Sequence, residues 1–166
     1  MGLRKVLLLV ALVAVGAFVL IQFVPYGHDH SNPPVTAEPA WDSPRTEALA
    51  HDACFACHSN ETEWPWYTNV APFSWLVQHD VDEGRATLNF SEWNRFQFEL
   101  QDISDVVREG AMPPTQYTLI HGDARLTDAE RRQLAAGLEA TVRTSPPGSA
   151  SGPTSSTERS GDTDGD

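Results

Sequence analysis

Apolar and polar positions divide the 166-residue chain into four stretches of different character. From Val6 to Val24 an apolar run carries no charge. As a helix rising about 1.5 Å per residue, it matches a hydrocarbon layer of roughly 30 Å. Pro25 to Pro44 is rich in proline and turn formers and predicts an extended tether or wrapping arm. Residues 45–143 carry helical periodicity. From 144 to 166 apolar residues almost vanish, which predicts a disordered acidic tail, since such a segment buries too little surface to offset its ordering entropy.

Within 45–143 four helices are predicted. Ser43 before Pro44 is a helix start, and that helix should run through Leu49 and Cys54 to about His58. A second should bury Phe73, Leu76, Val77 and Val81 and stop at Gly84. Ser91 should cap a third, with Trp93, Phe96, Leu100, Ile103 and Val107 on one face and Gly110 as terminator. Thr127 with Glu130 forms a capping box for the last. No stretch alternates with a period of two, so the fold class is all-α, preceded by a single transmembrane helix.

Charge sets the orientation. Arg4 and Lys5 precede the apolar run and no further cation occurs before Arg45, so the positive-inside bias places the N-terminus in the cytoplasm and the rest outside. Small residues at Ala14 to Ala17 would suit a signal peptidase, but the run continues well beyond them, so a retained anchor is expected. Beyond Val24, nine arginines against 23 acidic residues leave a net charge of −14. That balance argues against nucleic acid as a partner and suits a basic protein partner or simple solubility.

The two cysteines of the chain fall in "CFACH", Cys54 to His58. This spacing is that of covalent haem attachment: each thiol adds across a vinyl group, and the adjacent imidazole turns to the iron. Bacterial c-type haem is attached outside the cytoplasmic membrane, where the charge argument places the domain. A thioredoxin-type dithiol would want a βαβ context, and a zinc site would want a second ligand pair 12–20 residues on, where only His79 lies near. Met112, before Pro113 and Pro114, is the candidate sixth ligand, with His121 and His79 as rivals. Trp66 and Tyr67, with Trp64, Phe73 and Trp75, would wall the haem, and the Pro72 carbonyl would accept from the ring N–H of His58.

The stretches "CFACHSNETEWPWYTNVAPFSWLVQHDVDEGR", "LNFSEW" and "MPPTQYTLIHGDARLTDAE", with "IQFVPYG" and "NPPV" in the arm, resemble the haem-binding domain family of membrane-anchored bacterial c-type cytochromes. More loosely, they resemble the small cytochromes c, with Ala71-Pro72 where those have Gly-Pro. The resemblance implies a cytochrome-c-like helical domain, one covalent haem c at Cys54 and Cys57, and ligation by His58 and Met112. The expected function is one-electron transfer with a redox protein partner at the outer face of the bacterial cytoplasmic membrane. The alternative is a haem peroxidase or gas sensor with a labile sixth ligand, for which His121, His79 or Arg125 would supply distal chemistry.

Overall fold

The computed structural model describes residues 2–98, 100 and 102–149. Among these, seven α-helices follow in order, and no strand forms beyond one isolated parallel bridge between Ala37 and Glu92. Helix α1, Leu3–Ile21, buries none of its residues and is long and apolar enough to cross a membrane.

Helix α2, Pro44–Ala53, starts as its sequence dictates: the Ser43 side chain accepts from Thr46 N, with Pro44 in the first turn. The helix expected to reach His58 instead breaks at Cys54, whose φ of −123° leaves the helical range. Cys54 closes α2 through its N–H to Ala50 O at 2.8 Å. Its own carbonyl accepts from His58 N at 2.9 Å, opening a one-turn helix α3, Phe55–His58. A 3₁₀ turn, Trp66–Asn69, leads to α4, Phe73–Thr87.

Two expectations for α4 are corrected. The helix passes through Gly84 and ends at Thr87. Its buried face is Ser74, Gln78, Val81 and Gly84, while Phe73 and Leu76 stay 58% and 48% exposed. The expected helix from Ser91 is absent as well. Residues 88–98 form turns, and only α5, Ile103–Arg108, is helical in this region. Side chains take the backbone bonds that a helix would need: Gln97 Oε1 accepts from Asn89 N, Gln97 Nε2 donates to Asn89 O and Glu92 O, and Asn89 Oδ1 accepts from Ser91 N. Ser91 is itself buried, accepting from Asn60 N rather than capping. Phe96 points outward while Trp93 is fully buried.

Gly110, at φ +75°, ends α5 as expected, and the N–H groups of Ala111 and Met112 both donate to Val106 O. The short α6, Thr115–Thr118, follows, and then α7, Asp128–Thr144, whose capping box between Thr127 and Glu130 is complete. Helices α2, α5 and α7 enclose the core of Leu49, Ala50, Phe55, Ile103, Val107, Leu134 and Leu138. Phe55, Phe90 and Trp93 stack through it in sequence, with centroid separations of 5.5 and 5.8 Å.

The arm lies against the domain. Thr36 N donates to Ser91 O and Trp93 N to Ala37 O, each at 2.9 Å. Residues 145–149 are also seated: Trp93 Nε1 donates to Ser145 O at 2.7 Å and Gly148 N to Trp93 O at 2.8 Å. The tail expected to be disordered falls, from residue 150 on, outside the described residues.

Candidate functional site

The break at Cys54 decides how the motif faces its surroundings. Cys54, Cys57 and His58 line a cavity of about 280 Å³, partly open to solvent. Its far wall comes from Asp80, Glu83, Gly84 and Thr87 of α4 and from Met112, Pro114 and Tyr117 after α5. A smaller cavity of about 80 Å³ adjoins it, floored by Phe90, Ile103, Val106, Val107 and Leu138. Ala53, Cys54, His58 and Met112 belong to both. The result is a cleft with an apolar floor, two sulfur-bearing walls and a histidine.

His58 is oriented by the C-terminal end of α4. Its Nδ1 lies 3.1 Å from both Gly84 O and Leu88 O. Both atoms can only accept, so Nδ1 carries a proton and donates to them. Gly84 O also accepts from Leu88 N at 2.9 Å and from Thr87 Oγ1 at 3.1 Å, so the imidazole is held where the negative pole of α4 collects, which makes it a more basic ligand. This corrects the expectation for Pro72. That residue stands at the opposite end of α4, where its carbonyl accepts from Leu76 N. Twelve or more residues separate Pro72 from Gly84 and Leu88, about 18 Å or more along a helix axis.

The thiols are half-buried, and their surroundings favour the neutral form. Burial, with the Cys57 thiol beside it, pushes Cys54 up to about 12. Burial first and then Asp80 push Cys57 up to about 11, against the pull of Arg85. Dithiol redox chemistry needs a thiolate, which these surroundings disfavour. Among the described residues, no group of three or more His, Cys, Asp or Glu side chains is arranged to hold a metal ion.

The remaining predicted residues divide. Met112, the expected sixth ligand, lines both cavities and is 38% exposed. Tyr67 is half-buried, its hydroxyl 3.0 Å from His121 Nε2. Trp66 is 78% exposed and lines neither cavity, because its 3₁₀ turn presents Tyr67 and Thr68 inward instead. His121 is bonded on both ring nitrogens, Nδ1 to Tyr117 O at 3.0 Å and Nε2 to Tyr67, and it stacks on the Tyr117 ring at 4.0 Å. Arg125 donates to Thr118 O and Leu119 O, and His79 is exposed.

Sequence reasoning missed several residues that build the cleft. Tyr117, Asp80 and Glu83 wall it. Arg85 ties α4 to the motif turn and the arm, donating to Ser59 O, Ser31 O, Asn32 Oδ1 and Thr62 Oγ1 at 2.8–3.0 Å. A glycine and an arginine adjacent inside an amphipathic helix were the only signal for it.

Fold and cleft together define a small helical domain with an apolar-floored cavity bordered by two thiols and a histidine. The model of the haem-binding domain family matches residues 16–140, and the chain belongs to that family. Cytochrome c peroxidase Ccp of Escherichia coli (strain K12) is 27% identical over 98 residues, which cover 54% of this chain and 21% of that protein. The chain therefore spans about a fifth of that relative's length. No solved structure matches. The residues present fit a haem: the apolar floor excludes water, neutral thiols border the cavity, and His58 has its outer nitrogen already engaged.

Proposed function

We propose that this protein is a membrane-tethered monohaem c-type cytochrome that carries one electron at the outer face of the cytoplasmic membrane. The observation that carries the reading is the placement of Cys54, Cys57, His58 and Met112 around one cleft. Cys54 and Cys57 would hold the haem covalently, each S–H adding across a vinyl C=C so that no other group leaves. His58 and Met112 would ligate the iron. The bound group supplies a one-electron Fe(III)/Fe(II) couple. The chain orients the imidazole through Gly84 O and Leu88 O, keeps water from the floor with Phe90, Ile103 and Val107, and raises the potential through a thioether ligand.

Helix α1 would cross the membrane with its N-terminus inside and keep the domain at high local concentration near membrane redox complexes. The acidic character of the chain suits a basic redox partner. A peroxidase reading is not favoured, since His121 is bonded to Tyr67 and Tyr117 and Arg125 into its own loop.

The test is the optical spectrum of the full chain, produced with a c-haem maturation system. A covalent haem that survives denaturation, with the weak near-infrared band of methionine–iron ligation, is expected. Met112→Ala should abolish the band and lower the potential while leaving the haem attached. Haem without the band in the parent protein would remove Met112 from the iron. Absence of haem would overturn the reading.

A further inference from the structure

We infer that the first turn of α4 is a second membrane contact, with Phe73 and Leu76 seated in the headgroup boundary of the bilayer that α1 crosses. The inference rests on the anchor part of the proposed function.

The end of α1 is joined to the start of α4. Gln22 Nε2 donates to Ala71 O and Ala71 N donates to Gln22 Oε1, both at 3.0 Å. Gly27, at φ +87°, packs so tightly on the same turn that a Cβ there would meet the Ser74 carbonyl carbon at 2.7 Å. The α1 exit therefore holds α4 at a fixed place, rather than swinging it on a loose tether. Phe73 lies two positions after Ala71, a reach of at most about 7 Å. The polar zone of a bilayer is about 5–7 Å deep on each side of its hydrocarbon. Phe73 thus lies at the depth where aromatic residues collect in membrane proteins.

The exposure pattern agrees. On α4 the polar Ser74 and Gln78 are buried while Phe73 and Leu76 face outward. Phe23 and Tyr26, flanking the exit, are also exposed, at 78% and 46%. The cleft wall on α4 begins only at Asp80, so Phe73 and Leu76 are not part of it. An aromatic and aliphatic patch around a membrane exit, left uncovered by its own domain, has the bilayer as its covering.

The molecule contains its own control. Phe98, 75% exposed, donates its N–H to Thr87 O at the other end of α4. Fourteen residues of helix separate Phe73 from Thr87, roughly 21 Å. The full haem-loaded chain in native membranes should therefore be compared as Phe73→p-benzoylphenylalanine and Phe98→p-benzoylphenylalanine, irradiated and read by mass spectrometry. Phospholipid adducts at position 73 at least five-fold above those at 98 are expected. Equal yields, or adducts at 73 only to protein, would overturn the contact. A parallel alkaline carbonate wash separates the two readings: a chain that washes off overturns the anchor and this inference together. A chain that is retained but gives equal yields overturns this inference alone.

Discussion

The backbone of Gly84 rests directly on that of Cys57, so that a Cβ on Gly84 would stand 2.4 Å from the Cys57 carbonyl oxygen. The same Gly84 offers its own carbonyl to His58 Nδ1. One residue thus sets both how near α4 comes to the haem motif and how the histidine is turned.

Gly84→Ala should accordingly reduce haem retention and lower stability by about 1–3 kcal/mol, the usual cost of overpacking a closed contact. Gly137→Ala is the matched control. Its Cβ would meet Thr46 Oγ1 at 2.0 Å where α7 crosses α2, away from the cleft. It should lower the thermal midpoint but leave the haem spectrum of the folded protein unchanged. Absorbance spectra with thermal melts of both variants check this.

The thiols give a pH prediction for chain made without haem. In the unfolded chain they ionise near 9.0, and in the fold near 12 and 11. For an acid raised on folding, the stabilising neutral form is fully present below pH 9 and is lost as pH rises through about 11. Stability should therefore fall on the alkaline side across that window, and less so in Cys54→Ser. Alkylation by iodoacetamide at about pH 8 should be at least ten-fold slower in the native chain than in urea, because the thiolate is the nucleophile.

Arg85→Gln should loosen three segments at once. The guanidinium donates to Ser59 next to the motif, Thr62 beyond it, and Ser31 and Asn32 of the arm. Losing this set should cost about 2–3 kcal/mol, since bonds from a charged donor are among the stronger ones. Denaturant unfolding measures the loss. Limited proteolysis should show the arm near Asn32 cut sooner than in the parent chain.

The cap of α7 gives an acid-side prediction. Glu130 is held below the usual carboxylate range by the Thr127 backbone N–H, then by the Thr127 hydroxyl and by Arg45. A lowered carboxyl contributes stability that is present above its unfolded value and is lost as pH falls through its folded one. Glu130→Gln should flatten that part of the acid unfolding profile. Thr127→Ala should cost about 1 kcal/mol at neutral pH. Melts between pH 3 and pH 7 check both.

Features written in short stretches were legible, and those made by distant partners were not. Ser43-Pro44, the Thr127–Glu130 box and Gly110 each carry their reason within four residues, and each lies where expected. The third helix failed because the Gln97 side chain bonds to the Asn89 backbone eight residues away, an alternative that apolar spacing does not reveal. The face of α4 was misassigned for a related reason: its buried side answers to Cys57 and Gly27, which approach only in the folded chain. Trp66 and Tyr67 were placed at the cleft by proximity to the motif, yet neither lines it: the 3₁₀ turn leaves Trp66 exposed and sets Tyr67 against His121.

By itself, the sequence determined the all-helical class, the apolar span of α1 and the grouping of two thiols with a histidine, because periodicity and adjacent chemistry are local. Tertiary structure alone decided the break at Cys54, the carbonyls that hold His58 and the bonding of Gln22 to Ala71. These depend on backbone atoms, which every residue carries alike. Such atoms become particular acceptors only where packing brings a helix end against them.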